Sequence, residues 1–289
     1  MEIGKGSFGK VVRPGFACQG RAGHGYVSKI FASEQHGKQQ RQNYQALNLA
    51  EIDPRMNYFI TTADYCPVEG LPYVLNYVDG GDAISKLTDC RMILRGLENI
   101  FQGVALLHAH GIYHLDIKED NIVSSDRFRL IDFGLSRTGT HPPEGLIGSP
   151  LYIPPEMYFI GSRVPSASIY DIFVRYTYLP IIRTIGLNVA PENFPPLSAY
   201  AGLTDKEYYS KVDIWALGII LHRLLRSFRI KGLRSVVRKL LKLNVRERPD
   251  ADGALRIYQK FLIEHLGRTP MVLRPNSIRV PAKISGPAR

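Results

Sequence analysis

The stretch Tyr113-His114-Leu115-Asp116-Ile117-Lys118-Glu119-Asp120-Asn121 is followed closely by Ile131-Asp132-Phe133-Gly134. Phosphoryl transfer needs a nucleophile held in line and cations held against the phosphates, and these two stretches supply side chains for both tasks. Asp116 can accept the proton of an attacking hydroxyl, and Lys118 can neutralise charge on the transferred group. Asn121 and Asp132 offer the hard oxygen ligands that magnesium prefers.

The two stretches resemble the catalytic loop and the D-F-G segment of eukaryotic-type serine/threonine protein kinases. The resemblance runs from Gly4 to about His265, since further segments match that family in the same order. It implies an α+β fold of two lobes: a small antiparallel β lobe with one helix, and a larger, mainly α-helical lobe. It also implies ATP and Mg²⁺ as cofactors and a protein substrate with a Ser or Thr acceptor.

The resemblance gives each polar residue of the two stretches a role. Asp116 is the expected catalytic base, Lys118 and the more distant Lys29 are expected to hold phosphate charge, and Asn121 and Asp132 are the expected metal ligands. Lys118 favours Ser or Thr over Tyr as the acceptor, because tyrosine kinases usually replace this lysine. Small-molecule kinases of the aminoglycoside-kinase type usually lack it too, so that alternative is disfavoured.

The nucleotide is expected to contact three segments. Gly4-Lys5-Gly6-Ser7-Phe8-Gly9-Lys10-Val11-Val12 resembles the glycine-rich loop over the phosphates, and Lys29 lies in the apolar strand that follows. Pro72-Tyr73-Val74-Leu75-Asn76-Tyr77-Val78-Asp79-Gly80-Gly81-Asp82 resembles the hinge, with Leu75 as gatekeeper and Asp82 beside the ribose. The complete set of expected nucleotide contacts is Gly4, Lys5, Gly6, Ser7, Phe8, Gly9, Val11, Val27, Lys29, Leu75, Asn76, Val78, Asp82 and Val123.

One helix is predicted from about Lys38 to Ile52, because Asp53-Pro54 disfavours its continuation. Leu49 and Ile52 set a register that places Gln45 where the family has the Glu that pairs with the strand lysine. A Gln can hydrogen-bond Lys29 but cannot form the ion pair.

Glu34 or Glu51 is the alternative partner for Lys29 if the register differs. The neutral residue motivates a second hypothesis, a pseudokinase-type nucleotide-binding scaffold, beside that of an active enzyme. The short segment before Gly4 adds to it, because the first strand is barely started.

Segments of the larger lobe support the resemblance independently. Gly148-Ser149-Pro150-Leu151-Tyr152-Ile153-Pro154-Pro155-Glu156 is similar to the end of the activation segment, which implies that Ser149 lies near Asp116 and Lys118. The same similarity implies a buried ion pair between Glu156 and Arg248.

Two further residues of this lobe carry expectations. Asp213, in the apolar segment Lys211 to Leu221, is expected to accept backbone N–H groups of the catalytic loop. Leu115 replaces the Arg of H-R-D, so activity is predicted not to require phosphorylation of the activation loop. Thr138 and Thr140 are candidate phosphosites in this loop, but we favour the interpretation that they are plain loop residues.

The length of 289 residues suits two domains. We expect the N-terminal lobe at 1–78, the C-terminal lobe at 79–265 with an insertion at about 157–208, and a basic, disordered tail at 266–289. The net charge of +11 favours either solvated helix faces or, through the tail, an acidic partner or nucleic acid.

Composition and resemblance also bear on location. Cys18, Cys66 and Cys90 form no C-x-x-C motif and are predicted to be reduced thiols in a cytoplasmic protein. No stretch is long and apolar enough to span a membrane. A monomer is expected. The segment around Asp53 somewhat resembles kinases of large DNA viruses, which would place the protein in the host cytoplasm or the virion.

Overall fold

The computed structural model describes residues 1–6, 9–18, 23–47, 53–60, 63–138, 147–160, 178–184, 186–187, 189–190, 193–195 and 202–267. The predicted basic tail lies outside these residues from position 268 onward, as do Thr140 and much of the predicted insertion.

The smaller lobe is built on a five-stranded antiparallel sheet with the order β1-β2-β3-β5-β4. Its strands are β1 (Glu2–Gly6), β2 (Gly9–Val12), β3 (Tyr26–Phe31), β4 (Ala63–Tyr65) and β5 (Val74–Val78). Helix α1 (Glu34–Leu47) packs against the sheet. It begins about one turn earlier than predicted, because the Ser33 hydroxyl accepts the backbone N–H of His36 at its first turn.

Successive residues of β3 and β5 face opposite sides of the sheet, as the pleat requires, so odd-numbered and even-numbered residues form two separate apolar clusters. Phe31, Leu75 and Tyr77 are buried on the inner face, with Val27 packed against them. Ile30, Cys66 and Val74 are buried on the outer face.

The larger lobe is mainly helical. The short helix α2 (Met56–Phe59), which comes from the segment before β4, packs against this lobe. The helices of the lobe itself are α3 (Cys90–Ala109), α4 (Pro155–Ile160), α5 (Leu179–Thr184), α6 (Asp205–Ser227), α7 (Leu233–Leu240) and α8 (Ala251–Leu266). Short strands flank the catalytic stretches: β6 (Asp82–Ala83), β7 (Ile112–Tyr113), β8 (Ile122–Ser124), β9 (Phe128–Leu130) and β10 (Arg137–Thr138).

The core of this lobe forms around α3 and α6. The apolar residues that recur at helical spacing along α3 are all buried: Leu97, Ile100, Phe101, Val104 and Leu107. Asp89 caps this helix by accepting the backbone N–H groups of Arg91 and Met92. The only tryptophan, Trp215, is fully buried in α6. The described part of the predicted insertion joins the same core through Tyr178 and Ile182.

The structure corrects the prediction for two cysteines. Cys18 and Cys66 form a disulfide, with their Cα atoms 5.7 Å apart, and Cys90 is a free thiol. The pair is separated by 48 residues, and only the sheet brings them together. Sequence spacing carried no signal for it.

None of the helices within the described residues is both long enough and apolar enough to cross a bilayer.

Candidate active site

Asp213 in α6 fixes the backbone of the catalytic loop. Its carboxylate accepts the backbone N–H groups of His114 and Leu115, each at 2.8 Å. Its Oδ2 also lies 2.9 Å from Nε2 of His108. Because Asp213 is fully buried, its charge would be costly without these donors. The prediction that Asp213 accepts backbone N–H groups here is confirmed.

His114 ties the catalytic loop to the segment that carries Asp132. Its Nδ1 accepts the backbone N–H of Asp116 at 3.3 Å. A neutral imidazole that accepts at Nδ1 carries its proton on Nε2, and Nε2 lies 3.0 Å from the backbone oxygen of Ile131. This histidine is fully buried and packs on Phe133, so it holds the loop in place.

Asp116 gathers three polar side chains around its carboxylate. Oδ2 accepts from Nζ of Lys118 at 2.8 Å and from Nδ2 of Asn121 at 2.9 Å, and Oδ1 accepts from the Ser149 hydroxyl at 2.7 Å. Nζ of Lys118 also donates to that hydroxyl at 2.8 Å. Ser149 therefore lies beside Asp116 and Lys118, as the sequence predicted. The Ser149 contact also shows that Oδ1 is placed to receive a hydroxyl donor.

Asn121 and Asp132 present oxygens suited to a hard cation. Nδ2 of Asn121 donates twice to Asp116, to its backbone oxygen at 2.8 Å and to Oδ2, so the amide oxygen faces the opposite way. The Asp132 side chain is 31% exposed. Burial disfavours its charged form, but the charge and hydrogen bond of Lys29 outweigh this and lower the pKa of Asp132. An ionised carboxylate and an amide oxygen fit Mg²⁺.

Lys29 is held between Asp132 and a glutamine of α1. Its Nζ lies 2.8 Å from Asp132 Oδ2 and donates to Gln40 Oε1 at 3.0 Å. The amide nitrogen of Gln40 donates to Asp132 Oδ1 at 2.8 Å and to the Tyr77 hydroxyl at 3.0 Å. Gln40 is thus a neutral bridge between the two charged groups.

The assignment of Gln45 to this position is wrong. Gln45 is exposed, while Gly37, Gln40 and Leu47 share the buried face of α1 at helical spacing. Leu49 and Ile52, which set the predicted register, lie outside the described residues. The predicted residue type is nevertheless correct, because a neutral glutamine, Gln40, contacts Lys29.

The glycine-rich segment forms the β1–β2 hairpin. Gly4, Lys5, Gly6, Gly9 and Val11 lie in its strands, where Gly6 pairs with Gly9, while Ser7 and Phe8 lie outside the described residues. Gly9 has a φ of 151°, and a Cβ there would lie 2.0 Å from the backbone oxygen of Ile30. This close approach of β3 requires glycine.

The predicted hinge residues differ in burial and in the side of the sheet that their side chains face. Leu75 is fully buried and pairs with Lys29 across β3 and β5. The Asn76 side chain faces the other side of the sheet, where it accepts from the Ser28 hydroxyl at 2.5 Å, so only its backbone could meet a nucleotide. Val78 is 52% exposed, and Val123 is buried in β8.

Asp82 is held by a partner that the sequence did not predict. Arg13 donates to Asp82 Oδ1 at 3.1 Å and to Asp79 Oδ1 at 2.8 Å. Arg13 follows β2, so this contact links the smaller lobe to the segment that leads into the larger one. The Asp82 side chain remains 52% exposed.

The buried ion pair predicted between Glu156 and Arg248 is confirmed. Nη1 of Arg248 lies 2.5 Å from Glu156 Oε1 and Nη2 lies 3.2 Å from Oε2, and both side chains are fully buried. Arg248 also donates to the backbone oxygens of Lys211 and Lys242. These contacts join the end of the activation segment to α6 and to the segment before α8.

A second cluster next to the catalytic loop was missed at the level of sequence. Nε of Arg223 lies 3.2 Å from Glu119 Oε1, and its Nη1 donates to the Tyr152 hydroxyl at 2.8 Å. The Tyr152 hydroxyl donates to Glu119 Oε2. We call these three residues the Arg223 cluster. Nothing in the separate positions of Glu119, Tyr152 and Arg223 indicated that they meet.

Known proteins resemble this chain in sequence over limited segments. Myosin light chain kinase 3 of Homo sapiens is 37% identical over 97 residues, which cover 29% of this chain and 12% of that protein. Serine/threonine-protein kinase HAL5 of Candida glabrata is 28% identical over 48% of this chain and 19% of its own length. Serine/threonine-protein kinase sax-1 of Caenorhabditis elegans is 28% identical over 78% of this chain and 47% of its own. The chain therefore spans less than half the length of these relatives.

The fold and the family model agree with these relatives. A solved crystal structure of a kinase domain superposes with a TM-score of 0.57 at 14% identity, and the match covers 90% of this chain and 93% of that one. The family model described as protein kinase domain matches residues 1–173, which is more than half of the chain. The chain therefore belongs to the protein kinase domain family.

Proposed function

We propose that this chain is an active protein serine/threonine kinase that transfers the γ-phosphoryl group of ATP to a Ser or Thr hydroxyl of a protein. The observation that carries the proposal is the arrangement around Asp116, whose two carboxylate oxygens meet Lys118, Asn121 and the hydroxyl of Ser149. A substrate hydroxyl needs the same two contacts that the Ser149 hydroxyl makes, an acceptor carboxylate and a neighbouring ammonium.

The residues of the catalytic loop have separate tasks in this proposal. Asp116 orients the acceptor hydroxyl and takes its proton as the oxygen attacks phosphorus. Lys118, 2.8 Å from that carboxylate, offsets negative charge on the transferred group. Asp213 and His114 hold the loop backbone, so Asp116 need not reorganise during the reaction.

The metal site follows from the donor set. Asn121 and Asp132 would hold Mg²⁺ through an amide and a carboxylate oxygen. When bound, the ion supplies positive charge against the phosphate oxygens. The lowered pKa of Asp132 keeps this carboxylate ionised well below neutral pH.

The nucleotide would lie between the lobes, taken as 1–78 and 79–265. Lys29 contacts the phosphates, and the β1–β2 hairpin with Ser7 and Phe8 covers them. Leu75 and Val27 line the adenine side, with Val123 below. The backbones of Asn76 and Val78 hydrogen-bond the base, and Asp82 meets the ribose. Leu115 cannot pair a phosphate, so the proposed enzyme does not depend on activation-loop phosphorylation.

Gln40 favours one alternative, a pseudokinase-type scaffold that binds nucleotide without transferring phosphate. With a neutral amide in contact with Lys29, Asp132 is the one carboxylate paired with this lysine among the residues that the structure describes. The alternative predicts nucleotide binding without turnover. The active enzyme is favoured because Lys29, Asp116, Asn121 and Asp132 are all present.

The test is phosphate transfer from labelled ATP and Mg²⁺ to a generic basic protein. The wild type is compared with Asp116→Asn and with Asp252→Asn, a control at an exposed position in the first turn of α8. We expect labelled phosphoserine or phosphothreonine with the wild type and the control, and a loss of about 10²- to 10⁴-fold with Asp116→Asn. Thermal stabilisation by ATP without transfer by any form would establish the scaffold instead.

A further inference from the structure

We propose that Arg223 selects substrates that carry an acidic side chain within about two or three residues of the acceptor Ser or Thr. This inference rests on the proposed kinase function and names a substrate class for it. The first argument is position. Glu119 directly follows Lys118 in the chain, and Tyr152 ends the 3₁₀ turn that begins just after Ser149. Glu119 and Tyr152 therefore each lie just after a residue, Lys118 or Ser149, that contacts the Asp116 carboxylate.

The distance from the reacting group fits a flanking residue. A 3₁₀ helix rises by about 2 Å per residue, so Tyr152 lies about 6 Å along the turn from Ser149. An extended peptide advances by about 3.3 Å per residue. Arg223 is also bound by Glu119, which follows Asp116 by three residues, and two or three residues of an extended peptide span about 7–10 Å, a separation of the same order as that between the acceptor site at Asp116 and the cluster.

The second argument is the hydrogen-bonding capacity of the cluster. Glu119 is only 15% exposed, and its two oxygens are engaged by Arg223 and Tyr152. Burial and the charge of Glu119 raise the pKa of Tyr152, so the phenol stays protonated and donates. Arg223 is 46% exposed, and a guanidinium has five N–H donors. Its outer edge can bind a carboxylate in a bidentate geometry.

The third argument is the surrounding charge. Arg226 lies one turn further along α6 on the same side as Arg223, and both are exposed. The chain after α5 packs against Arg226, since a Cβ on Gly186 would lie 2.4 Å from its Cζ. Arg183 in α5 is also exposed. The neighbouring acid, Asp120, is turned toward Ser85, whose hydroxyl donates to it at 2.6 Å. Glu119 compensates the charge of Arg223, and Asp120 keeps its own. The excess positive charge on the α6 side therefore comes from Arg226 and Arg183, which favours an acidic over a basic side chain there.

The test uses synthetic peptides with one Ser acceptor and alanine at the flanking positions. In each further peptide, Glu or Arg replaces one alanine within three residues of the acceptor. We expect kcat/KM of the wild type for the best Glu peptide to exceed that for the alanine peptide about fivefold, the scale of a half-exposed ion pair. The gain should appear in KM, and the corresponding Arg peptide should be poorer than alanine.

Two variants assign the preference to Arg223. Arg223→Gln should reduce the ratio of Glu to alanine peptides to about one, whereas Arg223→Lys should keep part of it, because charge remains without the guanidinium fork. The ratio within one variant is insensitive to a general loss of activity. Arg256→Gln, at an exposed position in α8, should keep the wild-type ratio.

Three results would overturn the inference. Glu peptides that are no better than the alanine peptide would refute the preference itself. A preference that persists in Arg223→Gln would refute the role of this residue. In both of these cases the peptides are still phosphorylated, so the proposed kinase function stands. The third result, absence of transfer to every peptide and to a generic protein, would refute that function and this inference with it.

Discussion

Replacing Gln40 by alanine tests whether this residue of α1 positions Lys29 and Asp132 in the candidate active site. Gln40 accepts from Lys29 at 3.0 Å and donates to Asp132 at 2.8 Å and to Tyr77 at 3.0 Å. The substitution removes all three hydrogen bonds. Alanine has the highest helix propensity, so α1 itself should not weaken.

The magnitude follows from the partners that remain. A hydrogen bond to a charged group contributes about 1.5–3 kcal/mol. After the substitution Lys29 and Asp132 still face each other at 2.8 Å, so neither charge is left unpaired. We therefore expect a total loss near one such bond rather than two. If the interaction is present in the transition state, the corresponding decrease in kcat/KM for ATP is about 10- to 100-fold.

The assay is steady-state phosphate transfer at varied ATP, with thermal unfolding measured in parallel. Gln39→Ala is the matched control, because Gln39 is the same residue type on the exposed side of the same helix, where it contacts only Asn43 among its described hydrogen bonds. If Gln40→Ala kept the wild-type kcat/KM for ATP, the view that Gln40 positions Lys29 and Asp132 would be refuted. If both variants lost activity equally, the effect would be one of the helix as a whole and the view would fail as well.

Three further changes test the stability of the fold. Glu156→Gln should lower the free energy of unfolding by about 3–5 kcal/mol in urea titrations, since a buried guanidinium loses its counter-charge; a change below about 1 kcal/mol would contradict the buried pair. Reduction of the Cys18–Cys66 disulfide should lower it by up to about 4 kcal/mol, from the entropy of a closed loop spanning 48 residues, and unchanged urea midpoints with and without reductant would argue against the bond. Hydrogen bonds from Arg55 lower the pKa of Asp53 from 3.8 to about 2, which sets an upper limit of about 2 kcal/mol of stability, because Arg55 is 45% exposed and solvent screens the pair. In urea titrations, Asp53→Asn should therefore cost about 1–2 kcal/mol at neutral pH, and its difference from wild type should shrink as pH falls from 3.8 through about 2.

The sequence predicted most of the contacts within the candidate active site, for a physical reason. Asp116, Lys118 and Asn121 stand within one short loop, so their mutual geometry is set locally. The long-range partners Asp213, Ser149 and the Glu156–Arg248 pair were also predicted, through segments that match the family in order. Each contact is present in the structure at hydrogen-bonding distance.

Other features depend on tertiary geometry that no local pattern encodes. The α1 register was predicted from Leu49 and Ile52, and this moved the predicted partner of Lys29 from Gln40 to Gln45. A usable signal was present, because Gly37 and Leu47 share a helical face with Gln40. A Cβ at Gly37 would lie 2.2 Å from the Tyr73 ring, so that face must pack on the sheet. The disulfide and the Arg223 cluster had no equivalent signal.

The backbone at Leu115 shows how this loop holds its shape with a leucine at the position of the Arg in the H-R-D pattern. Leu115 and Asp132 both have a φ of 65°, a conformation that costs a non-glycine residue about 1–3 kcal/mol and persists only where surroundings enforce it. At Leu115 the enforcement comes from the core, because its side chain is buried and its N–H is bound by Asp213. At Asp132 it comes from Lys29 and Gln40. Among the described residues, the support of the loop at Leu115 thus comes from α6, and we expect the proposed activity not to depend on phosphorylation of the activation loop.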